Sequence, residues 1–93
     1  MMSAVIGQLV RSKAGHDKGK VFVVVGVGEK WLCLADGQVR FSEKPKKKNV
    51  RHVQTINVFA ADLAACTSSE SLTDPMIKKA IKTYLSKFEN QEE

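Results

Sequence analysis

His16 and Asp17 stand side by side between Gly15 and Gly19, with Arg11, Lys13, Lys18 and Lys20 around them. Two kinds of chemistry are open to such a set. A histidine beside a carboxylate can pass protons as an acid or base. Cations gathered at one reversal of the chain can instead hold phosphate, which supplies most of the affinity for nucleic acid. The acid–base reading is the weaker one. Adjacent residues on a turn point in different directions, no nucleophile is placed near the pair, and the only other histidine, His52, lies in a basic stretch. Asp17 is better employed accepting hydrogen bonds from backbone amides of its own turn, leaving Lys18 and Lys20 to face outward. His16 is then expected to meet phosphate or sugar. Gly15 and Gly19 supply backbone conformations that other residues reach only at a cost. The chain is therefore not expected to be an enzyme, and no motif in it calls for a cofactor or a metal.

A second basic set follows: Arg40, then Lys44, Lys46, Lys47 and Lys48 around Pro45, then Arg51 and His52. Charge runs usually mean only a solvated surface. Pro45 bars the segment from a central strand and favours extended backbone. The lysines are thus expected to lie along an open strip, outside any ladder, and to join the glycine loop in one basic surface. Charge is distributed unevenly. Up to Val53 there are 11 Lys and Arg against 4 Asp and Glu, and beyond it 4 against 6, within chain totals of 15 and 10. A polyanion should dock on the first half.

Single-strand readers display aromatic rings beside their cations. Phe22, Trp31 and Phe41 are the candidates here, and all three fall in strand patterns where a core role is expected, with Trp31 the best outlier for a base-stacking ring. Backbone and shape recognition of structured RNA is the expected mode.

Gly7, Val10, Gly15, Lys18 and Gly19, followed by the apolar run Val21 to Val27, resemble the KOW motif of several ribosomal proteins and of NusG-type transcription elongation factors. With Ala35-Asp36-Gly37, Arg40 and the run Glu43 to Lys48 added, the first half is similar to small KOW-containing RNA-binding proteins. It is similar through them to the fourteen-e type of large-subunit ribosomal protein. The resemblance implies a ribosome-associated protein of translation that docks on ribosomal RNA, with a permanent and an auxiliary role both open. It says little about residues after Thr55.

The elements that must position these residues are short. Ile6 to Lys13, Val21 to Val27, Trp31 to Ala35, Val39 to Phe41 and Val50 to Val53 read as strands, the β-branched second run most clearly. Asp36-Gly37 is the dipeptide of a tight hairpin. Five such strands predict a mainly β fold, a small SH3-like five-stranded barrel spanning residues 1–55. Residues 56–93 switch period and predict C-terminal helices packed on that barrel. The first is expected over Val58 to Cys66 with Asn57 as cap, then a polar link over Ser68 to Thr73. The second is capped by Thr73 or Asp74, with Pro75 in its first turn.

Ile77, Ile81, Tyr84 and Phe88 repeat at helical spacing opposite Lys78, Lys79, Lys82 and Lys87. They pack within the chain or meet a protein partner, the second being the competing function for an SH3-like module. A chain of 93 residues with 43% hydrophobic content supports one small domain. Cys33 and Cys66 form no CxxC pair and are expected as buried or half-buried thiols in a reducing compartment. Gln8 and Arg11 interrupt any apolar leader, and no run approaches the ~18 residues of a membrane span, so a cytoplasmic location is expected.

Overall fold

A computed structural model describes residues 4–60 and 73–89. Five antiparallel strands form one sheet: β1 (Gln8–Ser12), β2 (Val21–Val27), β3 (Trp31–Ala35), β4 (Lys46–Asn49) and β5 (Val53–Phe59). Their spatial order is β4-β3-β2-β1-β5, so the last strand returns to pair with the first. The fold is mainly β as expected, but the sheet is open, with β4 and β5 as unpaired edges. A single 3-10 turn, Val50–His52, joins those two edges, and Asn49 caps it by accepting from the Arg51 amide at 2.8 Å.

Both faces of the sheet are covered. Val21 and Val23 of β2 share a core with Leu9, Ala35 and Ala60, and with Ile77 and Ala80 of the helix α1 (Asp74–Tyr84). The alternate residues Phe22 and Val24 pack with Val10, Leu32, Leu34 and Val53 on the other side. Burial on both faces explains why β2 reads VFVVV, a continuous apolar run. Gly26 marks a bulge against β3, where a Cβ would come within 3.1 Å of Cys33 Cβ. Cys33 is a free, half-buried thiol. Cys66 lies outside the described residues.

Four expectations are corrected. Val39 to Phe41 is loop, because the Asp36 carboxylate accepts from the amides of Gln38, Val39 and Arg40, each at 2.9 Å. A ladder would need those same donors. The lysine run is a strand: Lys46 to Lys48 pair with Leu34 to Leu32 at the sheet edge. Pro45 stands just before the first paired residue, where its missing donor costs nothing. Val50 to His52 is the 3-10 turn, and the strand beyond it runs from Val53 to Phe59 across residue 55. Asn57 to Phe59, expected to cap and open a helix, belong to β5. Ala60 is described and helical; residues 61–66 of that expected helix and 68–72 of the polar link lie outside the described residues.

The second expected helix forms where its cap predicts. Thr73 Oγ1 accepts from the Met76 amide at 3.4 Å, Pro75 sits in the first turn, and α1 runs on into a π turn at Leu85–Glu89. Asp74 fastens the helix to the β3–β4 loop by accepting from the Ser42 amide at 2.7 Å and its hydroxyl at 3.3 Å. Gly37, at φ 78°, lies against this junction. No helix among the described residues is long and apolar enough to cross a membrane.

Candidate nucleic-acid interface

The loop between β1 and β2 turns on two left-handed glycines, Gly15 at φ 90° and Gly19 at φ 91°. Backbone hydrogen bonds close it: Ser12 N donates to Lys20 O and Gly19 N to Ser12 O, both at 2.9 Å. Arg11 braces the same loop through Nη1, which donates to Gly19 O at 2.7 Å.

Asp17 is buried, and its partners differ from those expected. Its carboxylate does not bind the amides of its own turn. Ser12 Oγ donates to Asp17 Oδ1 at 2.7 Å and Lys48 Nζ donates to the same oxygen at 2.8 Å. Lys46 Nζ stands 3.1 Å from Oδ2. Lys48 also donates to Ala14 O at 2.8 Å. Burial alone would push the Asp17 carboxyl up, but contacts with Lys48, Ser12 and Lys46 outweigh it and hold the group well below the ordinary carboxylate value. The β1–β2 loop is thereby pinned to β4, the far edge strand, by charge-assisted bonds.

The pleat explains which lysines take part. Lys46 and Lys48 lie opposite Leu34 and Leu32, on the inward face, while Lys47 lies opposite Cys33 on the other. Lys48 is only 8% exposed. The expected open strip of cations is thus divided: Lys48 is taken into the fold, Lys46 is half-buried against Asp17, and Lys47 faces solvent. Lys47 Nζ lies 5.7 Å from the centre of the Trp31 ring, within cation–π range. Trp31 and Phe41 are each 44% exposed, against the core role expected for them, whereas Phe22 is core. Trp31 opens β3 beside a tight turn, and Phe41 rides on the loop organised by Asp36.

Of the remaining expected cations, Lys13, Lys18, Lys20, Arg40, Lys44 and Arg51 are exposed, as is His16. The fold brings His16, Lys20, Arg40 and Lys46 together around one cleft of about 180 Å³, with Asp17, Asp36, Phe22 and Val39 completing its walls. Asp36 Oδ1 is taken by three amides of its own loop. Burial would raise its carboxyl, but the amides of Arg40, Gln38 and Val39 and the nearby Lys20 charge hold it below the ordinary value. Among the described residues no three His, Cys, Asp or Glu side chains gather as metal ligands.

Sequence reasoning missed Ser12 and the inward role of Lys46 and Lys48. The signal was the i, i+2 spacing of two lysines in an edge strand, which puts both on one face. Neither the known protein families nor the curated proteins contain a match to this chain.

Proposed function

We propose that this protein is a cytoplasmic RNA-binding module of the ribosome or its assembly, a KOW-type, SH3-like domain that docks on structured ribosomal RNA. The observation that carries this reading is the Asp17 lock. It fixes the glycine loop against the sheet, so His16, Lys18 and Lys20 are held outward with little freedom left to lose on binding. Arg40, Lys44, Lys47 and Arg51 extend the same charge, while Arg11, Lys46 and Lys48 serve mainly to hold the loop. Five short antiparallel strands with the fifth beside the first are compatible with an SH3-like ancestry. Contact is with phosphate and sugar, and Trp31 offers one ring for an unpaired base.

The competing reading is a protein-interaction module that uses the helix. Exposed Phe88, whose ring lies 5.2 Å from that of Tyr84, favours it. Ile77 is buried in the core and has no surface to offer, which leaves Ile81, Tyr84 and Phe88.

Sedimentation of cell lysate through a density gradient at low and raised salt separates the two. Comigration with large ribosomal subunits, lost as salt rises, is the expected result. Migration at the top of the gradient at both salts, with no enriched RNA, refutes the ribosomal reading.

A further inference from the structure

Lys78 and Lys82 belong to the half of the chain with net negative charge, yet the fold does not leave them there. One turn apart on α1, they face the glycine loop across a groove of about 680 Å³ that is also lined by Lys20, with Val21, Ile81 and Leu85 among its apolar walls. All three lysines are exposed, and among the described residues no ion pair holds any of them. Lys20 and Asp36 line this groove and also the smaller cleft of His16, Arg40 and Lys46. The two depressions therefore meet at Lys20, and cations follow one another from α1 over the glycine loop to the β3–β4 loop.

We infer that an RNA backbone runs along this track, with Lys78 and Lys82 of α1 as phosphate contacts opposite Lys20. The inference rests on the nucleic-acid reading above and moves the centre of the interface from β4 to the groove beneath the helix. Two observations favour a phosphodiester chain over a compact anion or an acidic peptide. The cations are strung through two joined depressions instead of converging on one point, which suits a ligand with charge at regular intervals. Asp36, the acid that lines both depressions, receives the amides of Gln38, Val39 and Arg40 on Oδ1 and has the Lys20 charge beside it, which offsets its repulsion of a passing phosphate. The apolar wall at Ile81 and Leu85 gives the lysine stems and ribose a surface to lie on.

The test uses the full chain and a fluorescein-labelled RNA hairpin with a single-stranded tail, titrated at several salt concentrations. The groove variant is Lys78→Gln with Lys82→Gln, which keeps side-chain length. The control is Lys79→Gln with Lys87→Gln, which removes the same charge from α1 and the π turn that continues it, outside the groove. Circular dichroism and melting confirm that both variants fold.

The groove variant should flatten the slope of log affinity against log salt by about 2, one per lost phosphate contact. Its affinity should fall on the order of 10-fold or more near 0.1 M salt, while the control changes both far less. Equal losses in the two variants would reduce the effect to net charge and overturn the inference. An unchanged slope in the groove variant, with the parent still binding RNA, overturns the groove and leaves the RNA reading standing. No salt-dependent binding by the parent removes both. Competition by a poly-glutamate peptide at the hairpin's own affinity would also overturn it, in favour of an acidic protein segment.

Discussion

Replacing Asp17 by Ala tests the loop lock directly. The substitution leaves Lys48 Nζ, now 2.8 Å from Asp17 Oδ1, with Ala14 O as its remaining acceptor at 2.8 Å. Its side chain is only 9% exposed, against 28% for Lys46. Lys48 is therefore near the buried limit, where breaking one partner of an ion pair costs about 3–5 kcal/mol. Lys46 can swing to water and adds little. The lower end applies because the lock lies at the sheet edge, so about 3 kcal/mol is expected. A domain of this size melts about 4–8 °C lower for each kcal/mol lost, so the Asp17→Ala midpoint should fall by roughly 12–24 °C on the same conversion.

Lys48→Ala should cost less, about 1–3 kcal/mol, because Ser12 and Lys46 still hold the carboxylate, whereas Lys47→Ala should stay within about 0.5 kcal/mol. A triple Lys46, Lys47, Lys48 to Ala variant is thus expected to lose stability as well as charge, and cannot serve as a clean probe of a binding strip. Urea denaturation followed by circular dichroism gives each value, and the Asp17→Ala/Lys48→Ala double variant gives the coupling. The reasoning fails if Lys48→Ala is as mild as Lys47→Ala, or if the double variant costs the sum of the two singles.

Acid stability follows from the same carboxylate. Asp17 and Asp36 are both held below their ordinary value of 3.8, so their contribution is full above that value and is lost as pH falls through the depressed folded values. Urea midpoints should drop between about pH 5 and pH 2, less steeply in Asp17→Asn, and an equal drop in both proteins would refute the assignment. Gly37→Ala should destabilise by about 2–3 kcal/mol, since left-handed backbone alone costs 1–2. Its new Cβ would also meet Asp74 O at 2.5 Å and Lys78 N at 2.9 Å. Gly19→Ala, with the same backbone sign but nothing within 4 Å, should cost only about 1–2 kcal/mol; equal melting losses would rule out the close approach. Trp31 is the chain's single tryptophan, so native emission should be quenched readily by acrylamide and shielded by bound RNA, and a buried-type spectrum would contradict its exposure.

Strand and helix content was legible wherever local chemistry and packing agree. β2 and β3 were readable because β-branched and apolar residues leave no other element for them, and α1 because Thr73, Pro75 and the apolar stripe point to one start and one face. The misreadings have tertiary causes. Asp36-Gly37 looks like a two-residue hairpin until the carboxylate captures three amides and Asp74 holds Ser42 from across the fold. Gln54 to Phe59 carries a mixed pattern that suits either period, and only pairing with β1 decides it. Open versus closed was beyond reach, since it depends on whether two edges that share a three-residue turn also exchange hydrogen bonds. For the candidate site, cation identity was legible but cation orientation was not: a row of like charges gives no hint that one of them faces a buried partner.

That last point governs how binding experiments on this chain must be read. Along β4 the pleat alternates, so neighbouring lysines with the same side chain have opposite duties: Lys48 holds the loop and Lys47 meets solvent. If the proposed RNA reading holds, removing either one should weaken the complex, Lys47 by deleting a contact and Lys48 by releasing the loop that carries His16, Lys18 and Lys20. The two routes separate in salt dependence. A lost contact lowers the slope of log affinity against log salt by about 1. A released loop keeps its charges, so the slope stays and affinity falls by the entropy of ordering the loop on binding. Charge counting cannot distinguish them. The Asp17 carboxylate can: restoring an acid at residue 17 in a loosened variant should recover affinity while making the net charge less positive, a sign that a purely electrostatic account of the interface forbids.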